Sequence, residues 1–117
     1  MKRLALALAL LAPPALAEIP VVTAATATQE GAGWRFDVTL THPDTGWDHY
    51  ADAWEVVAPD GTVLGTRELA HPHETEQPFT RSLSGIAVED AIDHVLIRAR
   101  CNTDGWGPAE FRVDLVR

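Results

Sequence analysis

The sequence predicts an all-β fold, a single antiparallel sandwich of seven strands. After residue 20, apolar and polar residues alternate with a period of two through most of the chain, as they do in half-buried strands. Turn sequences rich in Gly, Pro, Asp and Asn separate the alternating runs. The third observation is the lack of helical periodicity, since only residues 88–92 offer room for a helical turn. Many short strands joined by such turns are typical of a β-sandwich.

The clearest strand covers residues 34–41. Its apolar positions alternate with Arg, Asp and Thr, which places one face in a core and the other in water, and these positions are Trp34, Phe36, Val38 and Leu40. Weaker alternation predicts six further strands, at residues 21–28, 51–58, 62–69, 79–86, 94–101 and 111–116. Turn sequences between them include Pro59-Asp60-Gly61.

Residues 1–17 have the pattern of a cleavable secretory signal. A basic start at Lys2-Arg3 precedes an apolar run over residues 4–12, which is too short to span a bilayer. Pro13-Pro14 and the small residues around Ala17 then predict cleavage after Ala17. We therefore expect a periplasmic or secreted protein whose single domain covers residues 18–117. Because the residue directly after the cleavage site is Glu18 and not cysteine, we expect no membrane anchor after cleavage.

Charge and cysteine content limit the partners of the mature chain. Cleavage removes Lys2 and Arg3 and leaves seven arginines against seventeen carboxylates, a net charge of −10. A chain so acidic is poorly suited to nucleic acid and favours metal ions or basic protein surfaces. Cys101 is the single cysteine, so no intramolecular disulfide can form.

Residues 95–110 resemble the last two strands of a fibronectin type III domain, within the immunoglobulin-like sandwich superfamily. An alternating strand ends in Cys101-Asn102, and a Gly-rich turn through Gly105 and Gly107 leads to the final strand. The sequence departs from the family pattern at His94, which stands near the place of a usual tyrosine. The resemblance implies a sandwich topology and carries no function.

In such a topology three loops lie together at one end of the sandwich. These loops, residues 41–50, 70–78 and 102–108, are called the loop pole below. They hold most of the residues that could bind a ligand, namely His42, Asp44, Trp47, Asp48, His49, Tyr50, His71, His73, Glu74, Glu76, Asp104 and Trp106. The opposite loops carry ordinary turn residues, so we expect binding at the loop pole.

Two kinds of ligand suit the loop pole. In His71-Pro72-His73, an extended backbone would point both imidazoles to one side, as in half-sites for copper or zinc. The candidate metal ligands are His71, His73, His49, His42 and Glu76, with Cys101 as either a buried thiol or a soft ligand. A small organic ligand would instead use Trp47, Asp48, Tyr50, Asp104 and Trp106. Trp54 is expected in the core.

No catalytic constellation is present, because the sequence around Ser82 and Ser84 lacks the spacing of a nucleophile elbow. Gly65, His71, His73, Glu76 and Gly85 loosely resemble the first cupin motif, although Glu76 comes one residue early and Gly85 two residues late. We therefore predict an exported, non-enzymatic binding module for a metal ion or small ligand. The alternatives are an interaction module that docks another exported protein, and a cupin-like metal site.

Overall fold

Two antiparallel sheets form the protein in the computed structural model, which describes residues 18–117. The predicted signal segment lies outside the described residues. The strands are β1 (Val21–Glu30), β2 (Gly33–Thr41), β3 (Ala51–Val57), β4 (Val63–Glu68), β5 (Phe79–Ile86), β6 (His94–Cys101), β7 (Gly105–Trp106) and β8 (Phe111–Asp114). Seven of them coincide with the predicted strands, with ends that differ by at most two residues.

The strand order is that of a sandwich. The first sheet has the order β1-β2-β5, and in the second β4 pairs with β3, β3 with β6, and β6 with both β7 and β8. All neighbouring strands are antiparallel. The all-β sandwich prediction is therefore confirmed, and the arrangement is compatible with an immunoglobulin or fibronectin type III topology. Within residues 18–117 no helix is long and apolar enough to cross a membrane.

The core between the sheets is built by the predicted alternation. In β2, Trp34, Phe36, Val38 and Leu40 are buried while the residues between them are not. The inward positions of β6 are equally covered, and that strand ends in the fully buried Cys101. Apolar burial on this scale is the main term that holds such a domain together.

Strand β3 lies in the middle of the second sheet and is covered on both faces. Trp54 is fully buried, as expected for a core residue. On the other face Glu55 is only 4% exposed, because Arg98 pairs with it and Thr66 Oγ1 donates to its carboxylate at 3.2 Å. Arg98 Cζ lies 4.9 Å from the centre of the Trp106 ring, which completes this cover.

Two local features differ from the sequence-based expectation. Gly105, with φ of 79°, turns the chain back so that Gly105 and Trp106 pair with Cys101 and Arg100 as the short strand β7. This left-handed conformation favours glycine. Residues 88–92 form no helix: their turn is closed by Ile92 N, which donates to Glu89 O at 3.0 Å.

Candidate functional site

The carboxylate of Asp44 joins two loops of the loop pole. Its side chain is completely buried. Oδ1 accepts hydrogen bonds from His42 Nδ1 at 2.5 Å and from Ala51 N at 3.0 Å, and Oδ2 accepts one from His73 N at 2.8 Å. A buried carboxylate is stable only when it is paired and hydrogen-bonded in this way. Asp44 thus fixes the positions of both loops and the start of β3.

The third loop joins through Asn102 and Thr103. Asn102 Nδ2 donates to Trp47 O at 2.9 Å, and Asn102 Oδ1 accepts from Tyr50 N at the same distance. Thr103 Oγ1 donates to Asp48 O at 2.8 Å. All three predicted loops therefore meet at one end of the sandwich.

A cluster of two imidazoles and a thiol lies inside this assembly. One ligand atom each from His42, His49 and Cys101 lies within 4.8 Å of the other two. The rings of His42 and His49 meet edge to face with centroids 4.8 Å apart. His42 and Cys101 are buried, whereas His49 is partly exposed. Imidazole nitrogen and thiolate sulfur are the ligands that zinc and copper prefer.

His42 is oriented from both sides. Its Nδ1 faces the Asp44 carboxylate, and its Nε2 lies 2.6 Å from the backbone oxygen of Glu18. Contacts at both ring nitrogens fix the orientation of the imidazole. An imidazole that donates one N–H to a carboxylate is the usual arrangement for a histidine that binds metal through its other nitrogen.

The cluster would contract on binding a metal. In a tetrahedral zinc site the metal–ligand bond lengths place the ligand atoms roughly 3.3–3.7 Å from one another. Side-chain rotations that move these atoms by about 1 Å would bring the present spacing, at most 4.8 Å, to that value. No short hydrogen bond holds His49 Nε2 to these carboxylates, because it lies 3.6 Å from both Glu18 Oε2 and Asp104 Oδ2, beyond normal hydrogen-bond distance. Three protein ligands would leave a fourth position for water.

His71 and His73 are neighbours, but His73 is engaged elsewhere. Their ring centroids lie 4.5 Å apart. The His73 ring stacks on Phe79 at 3.9 Å, and its Nε2 accepts a hydrogen bond from Arg81 Nη2 at 2.8 Å. Burial, with the positive charge of Arg81 and the nearby His71, lowers the pKa of His73 below its ordinary 6.5. His73 thus resembles a packed core residue.

Arg81 also engages Glu76, the carboxylate of the same loop. Arg81 Nη1 donates to Glu76 Oε1 at 3.3 Å, and this hydrogen bond lowers the pKa of Glu76. The two glycines of the cupin-like set lie in strands: Gly65 faces Ile86 between the sheets, and Gly85 lies in β5 with φ of 72°. The Arg81 guanidinium therefore occupies the side chains of His73 and Glu76, which would be two of the ligands in a cupin-like metal site.

The aromatic candidates are divided between two surfaces. Trp47 is 66% exposed at the tip of its loop and meets Tyr50 edge to face at 5.6 Å. Trp106 is 37% exposed and lies under Arg98 on the outer face of the second sheet. Asp48 is exposed beside Trp47, while Asp104 faces Glu18 and His49.

Sequence reasoning missed the parts that Glu18 and Arg81 play here. The backbone of Glu18 reaches His42, and Arg81 reaches from β5 into the loop pole. The position of Glu18 directly after the predicted cleavage site was an available signal. Arg81 offered none, because exposed arginines are common on strands.

We predict that Asp44→Asn destabilises the protein. The neutral amide loses the charge-assisted bond to His42 and presents an NH2 group where only donors face it, at a cost of about 3 kcal/mol. Chemical denaturation at pH 7 measures this loss. Asp48→Asn is the matched control in the same loop, and its exposed side chain should change the free energy of unfolding by less than about 0.5 kcal/mol. Equal effects of the two substitutions would contradict the role given to Asp44.

The lowered pKa of His73 predicts a loss of stability in acid. As the pH falls through about 6.5, the unfolded chain takes up a proton at His73 while the folded chain resists it, so stability present above that pH is lost below it. Between pH 7 and pH 5 the free energy of unfolding should therefore fall further in the natural protein than in His73→Gln. His94 lies at the end of β6 that is far from the loop pole, so His94→Gln should not reduce this fall in the free energy of unfolding. An identical pH dependence in His73→Gln would refute this effect.

Comparison with known proteins yields one relative. A protein of Halomicrobium mukohataei named "Putative lipoprotein" is 41% identical over 99 residues, which cover 85% of this chain and 48% of the relative. The chain thus spans about half the length of the relative it matches. No family model matches the sequence. No solved structure matches it either.

Proposed function

We propose that the protein is an exported, non-enzymatic module that binds a zinc or copper ion through His42, His49 and Cys101. Two observations support export: the signal pattern of residues 1–17, and the similarity to a protein named as a lipoprotein, which is an exported class. The convergence of two imidazoles and a thiol within 4.8 Å carries the metal proposal.

The donor set suits a transition-metal ion better than a hard cation. Calcium and magnesium prefer oxygen ligands, whereas this cluster offers two nitrogens and a sulfur. Cysteine binds metal as a thiolate, and the positive charge of the metal ion stabilises the thiolate once the thiol has lost its proton. The net charge of −10 on residues 18–117 adds a general attraction for cations.

Asp44 prepares His42 for this role. Its carboxylate holds Nδ1 at 2.5 Å and leaves Nε2 facing Glu18 O at 2.6 Å. A metal ion bound at Nε2 would turn the Glu18 carbonyl aside. The Cys101 thiol would lose its proton on coordination, so metal binding should release protons.

Binding without catalysis is supported by the surroundings of the cluster. His42 and Cys101 are covered by the loops that position them. Two surface cavities, of about 330 and 420 Å³, are not lined by His42, His49 or Cys101. The first borders the loop pole through Gly107 and Pro108, and the second is lined by residues such as Ala58 and Ile92.

Calorimetric titration of the metal-free protein with Zn(II) tests the metal site. The natural protein should bind one ion and release protons, and Cys101→Ser and His49→Ala should each weaken binding by at least roughly 100-fold, more than the loss of an outer-shell partner. Titrations in two buffers of different ionisation enthalpy count the protons.

His71→Ala and His94→Ala serve as controls, because these histidines lie outside the cluster. Both should bind Zn(II) as the natural protein does. If His71→Ala weakens binding and Cys101→Ser does not, the ion is held by the His71 pair and the assignment to Cys101 is wrong. Equal affinities in every variant would contradict a specific site.

The exposure of Trp47 favours a second candidate function, the docking of a basic segment of another exported protein. An indole that is 66% exposed, beside Tyr50 and Asp48, offers an aromatic face and a negative charge to a cationic side chain. Hydrogen bonds from Asn102 and Thr103 hold its loop in place.

An arginine-rich peptide is the probe for this docking site. Its addition should change the tryptophan fluorescence of the natural protein, and Trp47→Ala should weaken peptide binding by roughly 10-fold, as expected for an aromatic anchor. Val63→Ala removes an apolar side chain that is 44% exposed in β4, and should leave binding unchanged. Equal peptide affinity in the natural protein and Trp47→Ala would contradict the proposal.

A further inference from the structure

We propose that cleavage after Ala17 supplies a structural group to the loop pole: the new α-ammonium of Glu18 forms an ion pair with Asp104 and fastens the amino-terminal segment across the site. This inference rests on the export part of the proposed function and concerns the metal-free protein, in which the Glu18 carbonyl faces His42.

The backbone of Glu18 is held at both of its polar atoms. Its nitrogen lies 3.1 Å from Asp104 Oδ2. Its carbonyl oxygen lies 2.6 Å from His42 Nε2. One residue thus bridges the loop after β2 and the loop after β6, which are far apart in sequence. The nitrogen that meets the carboxylate is the atom that cleavage would turn into a free amine.

The following residues determine where this nitrogen lies. Ile19 packs over Gly107, whose missing side chain makes the room: a Cβ at Gly107 would lie 2.3 Å from Ile19 Cγ2. Pro20 is buried, and Val21 begins β1. The segment is therefore seated before the first strand starts, and the amine has a defined position beside Asp104.

Cleavage changes the chemistry of this contact. Water hydrolyses the Ala17–Glu18 peptide bond, leaving a carboxylate on Ala17 and an amine on Glu18 that takes up a proton. The single N–H of a neutral amide becomes an ammonium with three donors and a positive charge. Hydrogen bonds between charged partners are roughly twice as strong as neutral ones. The contact to Asp104 therefore reaches its full strength only in the processed chain.

The strongly acidic composition means that few positive charges can offset the carboxylates near the α-ammonium. The processed chain holds seven arginines and no lysine, so the α-ammonium is one of few positive charges available to the loop pole. The charged or titratable groups around it are Asp104, the Glu18 carboxylate and His49, with His42 on the Glu18 carbonyl. Processing thus adds a positive charge to a contact that already joins Glu18 to the loop pole.

Thermal unfolding of two chains in EDTA tests the ion pair: residues 18–117, which contain both sheets and the whole described core, and the same chain with Ala17 retained. The extra residue restores the amide at Glu18 and moves the charge away. At pH 6.5 we expect retention of Ala17 to lower Tm by about 3–6 °C, as does Asp104→Asn. In Asp104→Asn the extra residue should have no further effect.

The difference should also depend on salt. Salt screens an ion pair near the protein surface, so the Tm difference between the two chains should shrink as the salt concentration rises to about 1 M. Both chains contain His42 and His49, so the comparison between them isolates the amine. Asp90→Asn, which removes an exposed carboxylate from the turn between β5 and β6, should leave the Tm difference intact.

Three results would overturn the proposal. The two chains could unfold at the same temperature at pH 6.5, or the difference could persist unchanged in about 1 M salt. Intact mass measurement of the exported protein could also find an amino terminus other than Glu18. None of these outcomes depends on metal, since EDTA is present, so failure of the metal titration and failure of this ion pair are separate results.

Discussion

The buried carboxylate of Asp44 is the interaction on which the loop pole depends. A charge removed from water in so acidic a chain is tolerated only because three donors surround it, from His42, Ala51 and His73. Meeting this requirement brings two loops together and turns His42 toward Glu18. The same contacts therefore account for the stability of the assembly and for the orientation of its candidate metal ligand.

The strands could be predicted because their sequence signal is local. Alternation such as that of Trp34 and Phe36 follows directly from the geometry of a half-buried strand, and it does not depend on distant partners. Strand β7 was missed because two residues carry no periodicity, and its pairing depends on the turn at Gly105. Topology placed the three loops at one end, so their meeting could be predicted as well.

The arrangement within the site could not be predicted, because it depends on contacts between distant residues. His73 suited a chelating pair by spacing, but Arg81 from the next strand occupies its Nε2. Nothing in the sequence distinguished Asp44 from an ordinary, exposed loop aspartate. It is buried only because the loops close around it. The alternation along β6 predicted that Cys101 points into the core, yet its thiol also lies within reach of two histidines. Alternation alone could not distinguish a structural thiol from a metal ligand.

X-ray absorption spectroscopy of the zinc-loaded protein would test the central claim most directly. Binding through His42, His49 and Cys101 predicts one sulfur neighbour at about 2.3 Å, together with imidazole nitrogens at about 2.0–2.1 Å. A first shell made only of nitrogen and oxygen, with no sulfur, would contradict the assignment of the ion to this cluster.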